Sequence, residues 1–407
     1  MAKNSAPQTN IYINYAALPV LQGAEVMRPV LIGPAASGAT ITPNILHNVY
    51  AESTRSGGLI ALERDLGISG ATLANNFASG AWVTNPLGAA YLAAKQTGYT
   101  DFDIMATTYF PVTSGGTINS SGVAAMNTAM TQAIKSDEVY SLVPVVHDGI
   151  SGGVVTSGVE LVNSYSPHST DYTVKNPGKP KALWVYANPT SATAEGAVSQ
   201  TTTEAIGLNN HRVNYVYAQS NTVGGADFKN AQFITPILAT MRSYMAPHAP
   251  LTDVPIPGVD ISDSTVFSEA QYDEMNNAGV WVCFKDDRGL SVTRHAVTTS
   301  QAEEISEEES AVSNGDNIVR TVKSALAWLR GNCNVTPALV DKIYADIQAA
   351  LSNVLARNYN ALLGPQILEI KGVDVEMDAV NSAQVNATLD LDLPSPYLDG
   401  EFTFNLL

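Results

Sequence analysis

The chain has 407 residues, 45% of them hydrophobic and only 14% charged, and its 38 acidic against 21 basic side chains leave a formal net charge of -17. That length accommodates two or three domains with cores of their own; the negative balance and the lack of any Lys/Arg run exclude backbone-neutralising contact with nucleic acid, and no stretch reaches the ~18 apolar residues of a membrane span. A charged fraction well under the roughly 25% of an average soluble domain leaves Asn, Ser, Thr and Gly to cover the surface, which then repels its own copies weakly and suits an assembly subunit.

Residues 1–25 read as an N-terminal arm. The opening "MAKNSAPQTNIYINYAALPV" has no signal-peptide core or cleavage site, so the protein is expected to stay in the cytoplasm where it is made. Within the arm Ile11, Ile13 and Tyr15 alternate with Tyr12 and Asn14 before Pro19 and Gly23. This is a strand without a hairpin partner nearby.

Residues 26–300 read as an outer α/β portion. "RPVLIG" is a short apolar strand, and the glycines of "GPAASGAT" behind it invite comparison with a phosphate-binding loop. Ala39 stands where such a loop needs its Lys, so a strand-ending turn from Gly33 is the better reading. "DFDIMATTYF" is a strand whose start, marked by Asp101 and Asp103, reads as a polar edge. "SGVAAMNTAMTQAIKS" has helical spacing. "VYSLVPVV" returns to strand, with Pro144 arguing for a sheet edge. His147 and Asp148 follow where α/β layers place their sites. Residues 149–180 read as a β-rich excursion, on the alternation in "GVVTSGVELV". "KALWVYA", "SATAEGAVSQTTTEAIG" and "RVNYVYAQ" then resume strand, helix, strand.

An acidic linker, "QAEEISEEESAVSNGDN", opens an α+β portion over residues 301–396. Asp316 is placed to cap a helix bearing Ile318, Val322, Ala325, Leu326 and Leu329 and stopped by Gly331. Thr336 and Pro337 open a longer one with Val340, Ile343, Ile347, Leu351 and Val354, ended by Gly364 and Pro365. "ILEIKGVDVEMD" and "AQVNATLDLDLP" are strands. Residues 397–407 form a C-terminal arm in which Phe402, Phe404 and Leu406 alternate with polar residues, a second strand with nothing beside it to receive it.

Chemistry is sparse. The two cysteines, Cys283 and Cys333, have no metal or redox spacing and read as small buried hydrophobes. The six histidines, His47, His147, His168, His211, His248 and His295, show no ligand pairing. An α/β enzyme with a site near Gly33 or His147 remains the alternative; no catalytic, cofactor or metal residue is assigned.

The stretch "TDVPIPGVDISDSTVFSEAQYDEMNNAGVWVCFKDDRGLSVTRHAVTTS", Thr252 to Ser300, resembles the contractile tail sheath family of bacteriophages and related injection machines. The matching parts are a helix over Phe267 to Asn277, a strand over Gly279 to Phe284, and Arg294 followed by Thr298 and Thr299. The ending "GVDVEMDAVNSAQVNATLDLDLPSPYLDGEFTFNLL", with Pro394 and Pro396, and the segments "RPVLIG" and "NPLGAAYLAAKQTGYTDFDIMA" are also similar. The likeness covers most of Arg28 to Leu407 and leaves residues 149–180 unmatched. It implies a non-enzymatic structural protein: an outer α/β part with a β-rich insertion, a tube-facing α+β part, and extended terminal arms that pair with neighbouring subunits. It further implies hexameric rings stacked in a helical sheath around a tail tube protein, with baseplate and tail terminator proteins as partners. Such a sheath contracts in a virion, or in a derived injection device, after assembly in the host cytoplasm. A helix between Asp316 and Gly364 is expected to grip the tube.

Overall fold

A computed structural model describes residues 10–13, 27–70, 72–113, 115–165, 179–191, 193–262, 267–301, 308–329, 334–355, 365–377 and 385–394. The expected arm residues Tyr15, Phe402, Phe404 and Leu406, together with His168 and Cys333, lie outside them. The first described strand is β1 (Asn10–Ile13). From Arg28 an eight-stranded sheet is built from β2 (Arg28–Pro34), β3 (Leu46–Asn48), β4 (Asp103–Thr107), β5 (Val139–Pro144), β6 (Ala182–Tyr186) and β7 (Val213–Ala218). The small strands β8 (Asn221–Val223), β9 (Ala226–Phe228) and β10 (Val259–Ile261) form a separate antiparallel sheet, before β11 (Val280–Lys285) and β12 (Ser291–Thr293) complete the large one.

The large sheet runs β12-β11-β7-β6-β5-β2-β4-β3. Its interior pairs are parallel and only the outermost strands, β12 and β3, are antiparallel. Parallel strands are covered on both faces and therefore read as unbroken apolar runs, and β5, β6 and β7 are buried at every position. The helices are α1 (Val49–Ser53), α2 (Gly58–Asp65), α3 (Leu73–Phe77), α4 (Pro86–Lys95), α5 (Ser120–Ala133), α6 (Gly153–Ser164), α7 (Ala194–Leu208), α8 (Ile234–Tyr244) and α9 (Glu269–Asn277). All of these except the short α2 and α3 pack directly on the large sheet.

Two expectations change here. The segment read as a β-rich excursion contains α6, because Val154, Val155, Gly158 and Val162 fall on one helical face and bury it. Gly158 lies against Leu183 of β6, where a Cβ would come within 3.0 Å of the leucine methyls. Pro144 does not mark an edge, since β5 sits between β2 and β6. It is tolerated because it closes the strand: the β6 ladder has ended at Leu142, and the missing amide is not needed.

A second core lies beyond residue 300. It is formed by α10 (Glu309–Ala325), α11 (Pro337–Leu355), β13 (Glu369–Met377) and β14 (Val385–Asp392), with Ile318, Val322, Ile343, Ile347, Leu351, Leu389 and Leu391 at its centre. Thr336 caps α11 by accepting from the Leu339 amide at 3.2 Å, as its place before Pro337 foretells. The expected start of α10 is wrong. The helix begins at Glu309, seven positions before the supposed cap, and Asp316 lies inside it, wholly buried. The mixed α/β and α+β multidomain architecture is present.

Candidate assembly interface

The small sheet has the order β1-β14-β13. On β14, Val385, Ala387, Leu389 and Leu391 are buried while Asn386, Thr388, Asp390 and Asp392 face outward, so one face seals the second core. β13 lies antiparallel to β14 with a register shift between Ile370 and Gly372. β1 lies parallel to the other side of β14, Ile11 opposite Ala387 and Ile13 opposite Leu389. The N-terminal strand predicted to lack a local partner thus has one within its own chain. The far side of β13 takes no further strand among the described residues. A nine-residue open edge flanked by exposed Leu368 and Met377 is a pairing site unless it is guarded. Charged side chains line it and leave its backbone uncovered: Glu369, Asp374 and Glu376 are exposed, and Lys371 bridges to Asp392 at 3.2 Å.

α10 joins this unit to the large sheet. Arg242 donates to Glu309 at 2.5 Å and to the Ala249 carbonyl at 2.9 Å. Arg212 pairs with Asp316, which also accepts from the Tyr140 hydroxyl at 2.9 Å. Arg320 donates to the carbonyls of Asp137 at 2.5 Å and Pro180 at 3.3 Å. His295 pairs with Glu308 just ahead of the helix. The acidic run, a solvated linker or the first turns of a helix by its sequence, is the latter at its end: Glu309 opens α10, and it and Glu308 are buried against cations. Only residues 302–307 of it lie outside the described residues. Most of these partners sit at the starts of β5, β6 and β7, so the small sheet hangs from the N-terminal ends of the parallel strands.

The residues carrying the family pattern feed this junction. Arg294 grips α9 through Glu269 at 2.6 Å and Asp273 at 2.5 Å, with its guanidinium over the Tyr272 and Phe284 rings. Thr299 donates its amide to Val213 at 3.0 Å and exchanges hydroxyl bonds with the Asn210 backbone. Thr298 accepts from the Ser300 amide at 3.3 Å. Both threonines are buried. Gly279 is required beside them, because its φ of +84° is left-handed and a Cβ would lie 2.6 Å from the Thr298 carbonyl oxygen. These residues seat the chain on β7 before it enters α10.

The two positions that suggested enzyme chemistry have structural work instead. A Cβ on Gly33 would meet Val145 at 2.2 Å, so this glycine allows close packing between β2 and the chain leaving β5. Gly149 donates its amide to His147 Nδ1 at 3.1 Å, which leaves Nε2 as the protonated nitrogen facing the Tyr186 carbonyl at 3.2 Å. Burial pushes this imidazole down to about 4. Asp148 accepts from the Gly153 and Val154 amides at the start of α6. Burial pushes the Cys283 thiol up, in keeping with a small core hydrophobe.

No protein-family model and no curated protein sequence matches the chain. Solved structures do. The sheath complex of the extracellular contractile injection system PVC, contracted, superposes with a TM-score of 0.61 at 13% identity, covering 100% of this chain and 99% of that one. The contracted helical sheath of the anti-feeding prophage gives 0.59 at 13% identity over 99% of each. The sheath tail protein of Listeria innocua gives 0.54 at 11% identity, covering 92% of this chain and 96% of that one. At such identities the likeness establishes the fold, and it does so from one end of the chain to the other.

Proposed function

We propose that this chain, which has the fold of the contractile tail sheath proteins, is itself a sheath subunit. It polymerises as stacked hexameric rings around a tail tube and contracts to drive that tube through a host envelope, ejecting a genome from a virion or a payload from a related injection device. The observation that carries this is the small sheet: a β14 edge that accepts a strand from residues 10–13, and a β13 edge still open to another. In a polymer the arms of neighbours fill such edges, with backbone pairing for linkage and alternate side chains for register. A heterologous link of this kind repeats into a helix.

The arm-bearing unit is the tube-facing one, and the C-terminal ends of the parallel strands are the outer pole. α11 offers the tube its outward face, where Tyr344 is exposed and Lys342 stands over the Trp328 ring at 5.5 Å. Baseplate and terminator proteins bind the two ends of the cylinder. Assembly takes place in the host cytoplasm, and the mature location is the particle. The subunit needs no cofactor and catalyses nothing.

Negative-stain microscopy of concentrated protein, alone and with tubes, tests the proposal. Hollow cylinders with a helical surface lattice are expected. Small monodisperse particles at every concentration and salt, with bare tubes beside them, reject it.

A further inference from the structure

The edge of β14 that a neighbour must enter is occupied in the single chain. Asn10, Ile11, Tyr12 and Ile13 pair in parallel with Asn386, Ala387, Thr388 and Leu389 of the same polypeptide. We propose that the free subunit caps its own acceptor edge with residues 10–13, and that this internal contact holds back polymerisation until a neighbour's strand displaces it. The consequence for assembly rests on the sheath reading; the contact itself does not.

Strand exchange replaces one set of backbone bonds with an identical set, so connectivity decides the competition. Residues 14–26 tie the strand to β2 by a contour of at most roughly 45 Å. A covalent connection of that reach presents its end at a local concentration of roughly millimolar order. Against free subunits at micromolar concentration, the internal strand is then favoured by about a thousandfold. At a growing cylinder end a docked neighbour presents its own strand just as closely, and that advantage disappears. Growth from an existing end is therefore permitted at concentrations too low for spontaneous association, which needs concentrated protein.

Two features suit a releasable cap. β1 spans only Asn10–Ile13, whereas the β13 ladder on the other side of β14 extends from Glu369 to Met377. The residues opposite the cap, Ala387 and Leu389, belong to the seal of the second core, so an uncovered edge would be prone to wrong pairing.

The test uses the full chain with Asn10→Pro and Tyr12→Pro, which removes two backbone amides from β1. Hydrogen exchange at those amides of Asn386–Leu389 that face β1 rather than β13 is expected to be at least about tenfold faster in the variant monomer; equal protection at these amides overturns the proposal. A labelled peptide, MAKNSAPQTNIYINYAALPV, is expected to bind the variant monomer about 100-fold more tightly than the unaltered one, a margin set conservatively within the tether effect. Equal binding to both, or none to the variant, also overturns it. Both measurements read isolated subunits, so they are independent of whether cylinders form, and a failure of the sheath reading shows up only in the microscopy.

Discussion

Asp103 and His147 give the α/β core two opposing responses to pH. Asp101 and Asp103 read as a polar edge, yet β4 is flanked by β2 and β3 and leaves Asp103 wholly buried. A three-residue edge strand, too short to announce itself in sequence, makes the difference. Asp103 has at most a weak hydrogen bond from Asn48, and Arg28 Nε, 3.8 Å away, belongs to a side chain also committed to Glu138. Burial raises this carboxyl to about 7, with Arg28 only partly opposing. The folded state therefore holds a proton that the unfolded chain releases between about pH 4 and 7, and Asp103 costs stability as pH rises through that window. His147 acts in reverse. Its folded value of about 4 lies below the ordinary 6.5, so its contribution is full above pH 6.5 and lost as pH falls toward 4. Between those limits the slopes largely cancel. Replacing Asp103 with Asn should raise stability at pH 8 by about 3 kcal/mol and leave the His147 slope exposed, so that the variant weakens from pH 6.5 to 4.5 while the parent changes little. Urea midpoints at pH 8 and 4.5 decide it; parallel profiles for the two proteins would show that Asp103 is not a buried, strained carboxylate.

At the scale of elements, α10 is where reading forward along the chain fails. A run of glutamates signals solvation, and that signal is sound when the counter-charges are local. Here they are Arg212 and Arg242, far upstream, and nothing in the spacing reveals that the fold brings them to Asp316 and Glu309. α6 was hidden for a different reason: its valines favour strands and its glycines are poor helix formers, and packing against β6 overrides both tendencies. By contrast β2, β5, β6 and β7 were legible, because parallel strands in a covered sheet need unbroken apolar runs. The order of parts after Thr252 was legible too, and it pointed to the fold that the solved sheaths share. The Arg212–Asp316 pair makes a prediction that separates affinity from specificity. Asp316→Ala leaves a guanidinium buried without its carboxylate and should cost about 3–5 kcal/mol. Arg212→Met with Asp316→Leu removes both charges and should recover most of that loss, since a buried pair gains little over apolar residues of similar size. Denaturation of the parent and the two variants measures it, and a double variant as unstable as the single one contradicts the account.

At the scale of the whole molecule, the proposed sheath role predicts that the C-terminal arm serves assembly rather than stability. Among the described residues both cores are made within residues 27–393. The β13 edge, by contrast, is complete in hydrogen-bonding capacity yet empty among the described residues. If a neighbour's C-terminal strand is what fills it, then Phe402, Phe404 and Leu406 matter only once two subunits meet. A chain ending at Pro396 should unfold with the same midpoint as the full chain, remain monomeric in sedimentation at concentrations where the full chain forms cylinders, and fail to elongate preformed ends. A loss of stability would instead place residues 397–407 inside the subunit's own sheets, and normal cylinders would mean that the open edge is filled by something other than this arm. Because the same truncation leaves β1 and its acceptor on β14 untouched, any residual pairing seen with it must come through the N-terminal strand, which separates the two arms' shares of the linkage.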